Sequence, residues 1–469
     1  MKITFIYPSL ADKFFNPSGG DMTLRSIHPG LCQLSASLKS AGFQTELIEL
    51  RTLKGWGHFQ DKIVNSPLQV AAITMMSPDF PLVKKCTEII KRVNPSAKII
   101  VGGMHPTIKP EDALSDKNID YIVRGEGETA LVSLSKALES GVSPARIMQG
   151  ERAAVDDLPF VDRYLFNCLE SPWDFFLPLP YFTIMAGRGC GYSCKFCAPG
   201  SKMVHGKGTR RRAVKKVMEE LKILRDDFGM NSFMFNDDCF TEDKDWVCEF
   251  AEQYKSGGFK QDFICQTRAD IICENPKMVG VLVRTGLKMA IIGFESGNDR
   301  ILKFISKGVT AKQNLEAAKI CKSYGLRIFA SYMLGLPTET NDEVRDTVKL
   351  LKKIKPYRPA GNYFTPLPGS YPYSYCKEKG LSLIDDYDCV RISTENEKPR
   401  VKGIDHEFII SAMKEAQKLP LEAKIIMKCD KLFRNRKNRI FLRAFRKLAG
   451  LHPDKHIMDI LYAMKHSPP

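Results

Sequence analysis

Short apolar runs alternate with amphipathic stretches along the first 140 residues of this chain. The runs are rich in Ile and Val, as buried strands are, and they cover Lys2–Tyr7, Thr45–Leu50, Val70–Met75, Lys98–Val101 and Tyr121–Val123. Helical spacing of apolar residues between them is seen in Leu31–Ser40, Phe80–Val93 and Thr129–Leu138. Strands that alternate with helices predict a mostly parallel, doubly wound α/β sheet of the Rossmann type.

A second alternating series begins at Tyr181. Its strand candidates are Tyr181–Ala186, Ser232–Phe235, Asp262–Gln266, Lys288–Phe294, Arg327–Met333 and Asn362–Thr365. Its helix candidates include Ala213–Asp226, Lys244–Tyr254, Ala311–Tyr324 and Thr340–Lys353. Six strand–helix units predict a partial (β/α)6 barrel of the TIM type. After Cys376 the strand signals fade, and Glu407–Leu419 and Leu421–Ala449 have a helical pattern.

These patterns divide the chain into four parts. We predict an N-terminal α/β domain over residues 1–150, a linker over 151–180, a barrel over 181–375 and a mostly helical region over 376–469. The length of 469 residues and the apolar content of 43% suit a globular protein with more than one core. Apolar runs long enough for a transmembrane helix or a signal peptide are absent from the sequence, which favours a cytoplasmic protein.

The net charge of +16 is concentrated at the C-terminal end of the sequence. Residues 421–469 hold 12 Lys and Arg against 4 Asp and Glu, a net of +8. A basic tail on a near-neutral body is weaker evidence for nucleic acid than a basic body, so nucleic acid is not favoured as a partner. Phe441, Phe445 and Leu448 form an apolar stripe among these cations. The stripe could pack on the barrel, or it could bring the protein to an anionic membrane surface.

The strongest chemical signal is a C-x3-C-x2-C run formed by Cys190, Cys194 and Cys197. The run follows the first barrel strand, at the end where barrel active sites lie. Three thiolates at this spacing can hold three irons of a [4Fe–4S] cluster and leave the fourth iron open to a small molecule. Structural thiols or a zinc site are the alternatives, but zinc normally takes a fourth protein ligand and no second cysteine pair follows nearby.

This spacing, with the aromatic Phe196 before the last cysteine, resembles the radical S-adenosylmethionine (SAM) superfamily. The resemblance implies an oxygen-sensitive enzyme whose three cysteines hold the cluster, whose open iron binds SAM, and which cleaves SAM reductively to a 5′-deoxyadenosyl radical. An external electron donor such as flavodoxin or ferredoxin is implied as well. The SAM-binding candidates that follow from the resemblance are Phe196, Asp237, Asp238, Gln266, Arg268, Glu295 and Leu336.

Two of these positions also have a purely structural interpretation. An acidic pair after a strand, such as Asp237 and Asp238, is often a helix cap, and the glycines of the Gly-Gly-Glu motif that many relatives carry at this place are missing here. Arg268 could pair with Asp270 in a surface loop. We keep both interpretations open at this point.

Two glycine-rich loops follow successive strands of the N-terminal domain, at the edge where parallel sheets bind ligands. Together with the Ile27–Gly30 segment before the first helix, they resemble the cobalamin-binding domain of many radical SAM enzymes. The cobalamin candidates are Thr74, Ser77, Gly102, Gly103, His105, Gly125, Glu126 and Gly127. The D-x-H-x-x-G motif that supplies a cobalt ligand elsewhere is absent, as it often is in radical SAM relatives. His105 could be a cobalt ligand or, since Pro106 follows it, a structural loop residue; a domain that has lost the cofactor is a further alternative.

Together the resemblances imply a cobalamin-dependent (class B-like) radical SAM C-methyltransferase that acts on an unactivated carbon. An oxidative cyclase or ring-rearranging enzyme on the same scaffold is the first alternative. An RNA methylthiotransferase would need three further cysteines in the N-terminal domain, where only Cys32 and Cys86 occur. A non-catalytic cobalamin or redox sensor is disfavoured by the barrel motifs. The sequence leaves lipid, peptide and small-metabolite substrates open.

Overall fold

The structure is a computed structural model that describes residues 1–8, 15, 24–166, 169–170, 177–197, 199–384, 387 and 399–418. It divides into two compact units. The first comprises Met1–Glu170, Arg188–Arg212 and Thr365–Lys402, and the second comprises Ser171–Gly187, Ala213–Phe364 and Gly403–Pro469. The helix predicted over Leu421–Ala449, with its basic stripe, lies outside the described residues. Among the helices that are described, none combines the length and the apolar character needed to cross a membrane.

The strands are numbered in chain order. They are β1 (Lys2–Tyr7), β2 (Leu24–Arg25), β3 (Gln44–Glu49), β4 (Val70–Thr74), β5 (Lys98–Gly102), β6 (Tyr121–Gly125), β7 (Ile147–Gly150), β8 (Leu169–Glu170), β9 (Tyr181–Ile184), β10 (Gly187–Arg188), β11 (Arg210–Arg211), β12 (Ser232–Phe235), β13 (Asp262–Thr267), β14 (Leu287–Glu295), β15 (Arg327–Leu334) and β16 (Arg358–Tyr363).

The helices are numbered in the same way. They are α1 (Pro29–Ser40), α2 (Trp56–Asn65), α3 (Phe80–Val93), α4 (Met104–Ile108), α5 (Pro110–Ser115), α6 (Glu128–Glu139), α7 (Pro199–His205), α8 (Val214–Asp226), α9 (Lys244–Ser256), α10 (Ala269–Glu274), α11 (Pro276–Thr285), α12 (Asp299–Phe304), α13 (Ala311–Ser323), α14 (Asn341–Ile354), α15 (Tyr371–Glu378) and α16 (His406–Ala416). Short 3-10 turns cover Leu50–Thr52 and Ser77–Asp79.

A six-stranded parallel sheet forms the centre of the first unit. Its strands lie in the order β3-β1-β4-β5-β6-β7. One apolar core covers one face with α2 and α3, and a second covers the other face with α1 and α6. The predicted doubly wound fold is therefore confirmed. The strand order reverses between β1 and β4, and such switch points are where open α/β sheets bind ligands, beyond the carboxyl ends of the strands.

The first helix begins where the sequence places a His-Pro-Gly run. The imidazole Nδ1 of His28 accepts a hydrogen bond from the Leu31 amide at 3.1 Å. Pro29 occupies the first helical turn, where a missing N–H does no harm. Burial lowers the pKa of His28 to about 4, so the ring is neutral and can accept this bond near neutral pH. His28 is therefore a helix cap.

Six parallel strands of the second unit lie in the order β9-β12-β13-β14-β15-β16. Helices from α8 to α14 connect them, and side chains such as Tyr181, Ile264 and Met289 fill the interior. This confirms the predicted partial barrel. The last strand was expected at Asn362–Thr365 but covers Arg358–Tyr363. Among the described strands it pairs with β15 alone, and an edge strand tolerates Pro359, which cannot donate to a ladder.

A helix follows the barrel, as the sequence predicted for Glu407–Leu419. Helix α16 begins after Asp405, whose side chain accepts a hydrogen bond from the Phe408 amide at 3.0 Å. It packs on α14 and β16. Met413 lies in this contact, with its sulfur 3.5 Å from the Tyr332 hydroxyl.

Candidate cofactor-binding sites

The three cysteines of the predicted cluster site lie on one loop of the first unit, between β10 and α7. Cys190 and Cys194 are half-buried and Cys197 is exposed. Pairing of β10 with β11 closes the base of this loop. Gly189 has a φ of +84°, and a Cβ at this position would lie 2.6 Å from the Gly208 carbonyl oxygen. A residue with a side chain would force the two ends of the loop apart.

The chemistry of these donors suits an iron–sulfur cluster better than a single metal ion. Within the described ranges, no three His, Cys, Asp or Glu side chains are grouped closely enough to hold one ion. In a cluster each thiolate binds a different iron, so the sulfur atoms need not meet at one point. Three cysteines on one loop therefore fit the predicted [4Fe–4S] cluster. Phe196, which lies between Cys194 and Cys197 in the sequence, is half-buried.

A second segment of the same unit supports the cysteine loop. The Lys195 carbonyl accepts a hydrogen bond from the Tyr371 amide at 3.1 Å. The Lys195 ammonium also lies 4.4 Å from the centre of the Tyr371 ring, within the range of a cation–π interaction. The loop is thus held against the start of α15.

Glu126 links the glycine-rich loop after β6 to the cysteine loop. Its carboxylate lies 2.7 Å from His205 Nδ1 and accepts hydrogen bonds from the Arg210 guanidinium. Arg188 Nη1 lies 3.4 Å from the same carboxylate. Arg188 comes just before the first cysteine, whereas His205 and Arg210 come after the last one. The two flanks of the cysteine loop therefore meet at one glutamate. We call Glu126, Arg188, His205 and Arg210 the Glu126 cluster.

Charge pairing determines the ionisation of this cluster. Burial alone would raise the pKa of Glu126, but hydrogen bonds from His205 and Arg210 and the charges of Arg188 and Arg210 lower it to about 2. Arg188 is also desolvated, and Glu128 and Glu126 raise its pKa against that effect. Glu126 is therefore ionised at neutral pH, so its carboxylate is an acceptor of hydrogen bonds and not a proton donor.

Backbone atoms line the carboxyl edge of the sheet where cobalamin was predicted. Gly103 has a φ of +108°, and a Cβ there would lie 3.1 Å from the Met75 carbonyl oxygen and 3.2 Å from Thr74 Oγ1. Gly125 has a φ of +78°, and its Cβ would lie 2.7 Å from Gln149 Nε2. Such an edge, next to the switch point, gives a large flat ligand close access to the main chain. It fits the predicted corrinoid. Gly102 ends β5 and Gly127 precedes α6 at the same edge.

His105 is enclosed by protein groups. Its Nδ1 lies 3.0 Å from Ser77 Oγ, and its Nε2 lies 3.3 Å from Asp112 Oδ2 without hydrogen-bond alignment. The rings of Phe80 and Tyr387 lie 5.2 and 4.9 Å from the imidazole, and the Tyr387 hydroxyl donates to Asp112 at 2.6 Å. Burial lowers the pKa of His105. These contacts favour the structural interpretation over a cobalt ligand.

In the second unit, Asp237 follows β12 and is buried. Its Oδ2 accepts a hydrogen bond from the Ala186 amide at 3.0 Å, which ties together the ends of β9 and β12. The cap of the following helix α9 is Asp243 instead. The helix-cap interpretation of the acidic pair is therefore wrong. Asp238 is exposed, and Gln266 is half-buried within β13.

Two buried ion pairs lie at the carboxyl ends of β13 and β14. Arg268 forms a bidentate pair with Asp270, with Nη2 at 2.8 Å from Oδ2, and donates to the Lys307 carbonyl at 2.5 Å. Lys307 Nζ in turn lies 3.0 Å from Glu295 Oε1. The predicted pairing of Arg268 with Asp270 is observed, but both residues are buried instead of lying in a surface loop.

The loop after β15 is organised by a carboxyl group. Glu339 Oε2 accepts hydrogen bonds from the amides of Gly335 and Leu336 at 2.7 and 3.1 Å. Leu336 itself is fully buried. Burial and the nearby Glu343 charge raise the pKa of Glu339 to about 7, although the two amides act in the opposite direction.

Two family models match this chain. Residues 23–135 match the B12 binding domain, and residues 184–351 match the radical SAM superfamily. The chain belongs to the radical SAM superfamily. Its N-terminal unit contains a B12 binding domain, and the protein is an enzyme whose cofactors are a [4Fe–4S] cluster, SAM and cobalamin.

Known proteins resemble this radical SAM enzyme over most of its length. An uncharacterized methyltransferase of Pyrococcus horikoshii is 30% identical over 63% of this chain and 66% of its own length. The anaerobic magnesium-protoporphyrin IX monomethyl ester cyclase of Rubrivivax gelatinosus is 24% identical over 79% and 69%. The chain thus spans about two thirds of these relatives. The structure of the cobalamin-dependent SAM radical enzyme OxsB has a TM-score of 0.66 at 15% identity, covering 96% of this chain and 75% of OxsB, and it has the same fold.

The cluster ligands of this radical SAM enzyme and its predicted cobalamin residues lie in the first unit, and most predicted SAM contacts lie in the second. The contacts of these side chains with SAM and cobalamin stay predictions.

Sequence reasoning missed Arg188, His205, Arg210 and Lys307. Their carboxylate partners are separated from them in the sequence, so no local pattern marks these pairs.

Proposed function

We propose that this chain is a cobalamin-dependent radical SAM C-methyltransferase that acts on an unactivated carbon. The observation that carries this proposal is the Glu126 cluster. Through it, the loop that holds Cys190, Cys194 and Cys197 is joined to the B12-domain loop within one compact unit. A radical source and a methyl source that act on one carbon must be held in a fixed relation, and this joint supplies it.

When bound, the cofactors would supply a radical able to remove a hydrogen atom from carbon and a methyl donor to that carbon. The chain's own residues have simpler tasks. The three cysteines ligate the cluster, and Gly103 and Gly125 give the corrin access to the main chain. The buried pair of Lys307 and Glu295 fixes the end of β14, where a predicted SAM contact lies.

The relatives support methylation and leave the substrate open. The relative with 30% identity is named a methyltransferase, and the glycine-lined edge supports a bound corrinoid. We propose that the substrate is a lipid, a peptide or a small metabolite, and that an external flavodoxin or ferredoxin donates the electron. Two products of SAM test the reaction type in the anaerobically reconstituted enzyme. A methyltransferase forms both S-adenosylhomocysteine and 5′-deoxyadenosine, and failure to form the first would contradict the proposal.

An oxidative cyclase is the second candidate. The observation that favours it is the likeness to the magnesium-protoporphyrin cyclase, which covers 79% of this chain. A cyclase would form 5′-deoxyadenosine without S-adenosylhomocysteine, and its product would have lost hydrogen instead of gaining a methyl group. Mass spectrometry of the product therefore distinguishes the two candidates.

The methylthiotransferase alternative has less support. It needs a second cluster in the N-terminal domain, with three cysteines as ligands. Cys32 and Cys86 are both fully buried, and they belong to different apolar cores of the first unit. Two buried thiols in separate cores cannot serve one cluster.

We also propose that the basic tail at residues 421–469 brings the enzyme to an anionic membrane surface. Its charge and apolar stripe support this interpretation, since each cation near an anionic leaflet contributes about 1 kcal/mol. We expect co-sedimentation with anionic but not neutral vesicles, and weaker binding at high salt. Equal recovery in the supernatant with both vesicle types would contradict it.

A further inference from the structure

We infer that Glu126 is a positioning residue that couples corrinoid binding to the geometry of the cluster-binding loop. The coupling rests on the assigned cofactors and applies to a methyltransferase or a cyclase alike. If the coupling is not found, the proposed methyltransferase function is unaffected. If the enzyme proves not to be a methyltransferase, the coupling can still be tested.

The first step of the argument is the burial of the carboxylate. The side chain of Glu126 is 1% exposed. A buried carboxylate is stable only when it is paired and fully hydrogen-bonded. Its partners are the three basic residues of the Glu126 cluster and the Ala153 amide, which donates at 3.0 Å. If the loop that carries Glu126 moves, these partners must move with it, because otherwise the buried carboxylate loses its hydrogen bonds.

The second step is the position of the partners in the chain. Arg188 immediately precedes the cysteine loop, and it is held by Glu128 at 2.6 Å as well as by Glu126. His205 ends α7, which follows the loop, and Arg210 opens β11. Glu126 therefore binds both flanks of the loop, whereas Glu128 binds only the first. The spacing of the cluster ligands depends on the distance between these flanks.

The third step connects Glu126 to the glycine-lined edge. Thr107 Oγ1 donates to the Gly103 carbonyl at 2.7 Å and accepts from the Gly125 amide at 3.0 Å. Gly125 precedes Glu126 directly. A ligand that contacts Gly103 and Gly125 thus acts on hydrogen bonds that end at the Gly125 amide, one residue before Glu126.

Coupling between two binding sites is reciprocal, so the bound corrinoid must stabilise the cluster as much as the cluster stabilises the corrinoid. We would measure iron release to a chelator from the full-length, anaerobically reconstituted protein, with and without hydroxocobalamin. In the wild type we expect hydroxocobalamin to slow the release at least ~5-fold, the lower end of typical coupling. In Glu126→Gln we expect faster release without corrinoid and no protection by it.

Matched variants separate positioning from folding. Asp116→Asn makes the same carboxylate-to-amide change at a buried residue of the same unit, directly after α5, where the partners are Thr87 Oγ1 and the Asn118 amide at 2.6 and 2.9 Å. This variant should keep the corrinoid protection. Glu128→Gln should lose only part of it, since Glu126 still binds Arg188. Glu126→Asp, which keeps the charge, should recover part of the protection.

A spectroscopic readout adds a test that general instability would not affect. The EPR spectrum of the reduced cluster should change on addition of hydroxocobalamin in the wild type and stay unchanged in Glu126→Gln. If Glu126→Gln fails to fold, Arg210→Gln tests the same joint from the other side. Wild-type protection in folded Glu126→Gln or Arg210→Gln, or an equal loss of protection in Asp116→Asn, would overturn the inference.

Discussion

The ammonium of Lys307 lies 3.0 Å from Glu295 Oε1, and the two side chains are 7% and 10% exposed. Glu295 has a φ of +62°, a left-handed conformation that is uncommon for a residue other than glycine. It ends β14, where the register with β15 shifts. The buried ion pair therefore holds a strained backbone at the end of a barrel strand, at a position where SAM binding is predicted.

Breaking this pair should destabilise the second unit. Lys307→Met leaves the Glu295 carboxylate buried without its cation, and loss of one partner of a buried pair costs about 3–5 kcal/mol. We expect a lower unfolding midpoint in guanidinium chloride and weaker SAM binding. Lys307→Met with Glu295→Gln should recover most of the stability but not the SAM binding. A double variant as unstable as the sum of the single changes would contradict this account.

Removal of a cluster ligand should abolish radical chemistry. In Cys190→Ala, Cys194→Ala or Cys197→Ala the missing thiolate cannot be replaced by a methyl group. We expect loss of the iron–sulfur absorbance and of 5′-deoxyadenosine formation. Cys248→Ala is the matched control, because Cys248 is also half-buried but lies on α9. Retention of four irons after loss of all three cysteines would refute the cluster assignment.

A side chain at Gly103 should block the corrinoid. Gly103→Ala introduces a Cβ 3.1 Å from the Met75 carbonyl oxygen at the glycine-lined edge. Gly42→Ala shares the positive φ, at +90°, but its Cβ meets no atom within 4 Å. Both variants carry the left-handed penalty of about 1–2 kcal/mol. Only the first should bind hydroxocobalamin more weakly, by at least ~10-fold, or about 1.4 kcal/mol. Equal affinities in the two variants would argue against this edge as the site.

Local patterns in the sequence were enough to predict the two sheets and the cysteine site. Strands such as β1 and β12 are apolar runs whose ends the sequence marks clearly. Strand β7 was missed because it is short and largely exposed at the sheet edge, so it has no apolar run. The Glu126 cluster could not be predicted, since the contact of Glu126 with Arg210 joins residues far apart in sequence and nothing local records it.

The stability of the enzyme should depend on pH through Glu339. Its pKa of about 7 exceeds the usual value of 4.5, so between these values the folded protein retains a proton that the unfolded chain has lost. Stability therefore falls as pH rises from about 4.5 to about 7, by up to ~3 kcal/mol. Glu339→Gln keeps an acceptor for the amides of Gly335 and Leu336 but does not titrate.

Thermal unfolding at pH 5 and pH 7.5 measures this effect. The wild type should lose more stability between pH 5 and pH 7.5 than Glu339→Gln does. The melting temperature of the variant should therefore fall less over this interval. Glu343, whose pKa is lowered to about 2 chiefly by the Arg300 hydrogen bonds, titrates below this window. Parallel pH profiles in wild type and variant would contradict the assignment.

The fate of the SAM methyl group tests the central claim most directly. The enzyme would be reconstituted anaerobically with iron, sulfide and hydroxocobalamin, reduced, and given SAM with a deuterated methyl group. A C-methyltransferase must place the deuterated methyl on the bound corrinoid and release S-adenosylhomocysteine, which mass spectrometry detects together. We predict both, and we predict that Gly103→Ala loses them while it still forms 5′-deoxyadenosine. Formation of 5′-deoxyadenosine by the wild type with an unlabelled corrinoid and no S-adenosylhomocysteine would contradict methyl transfer.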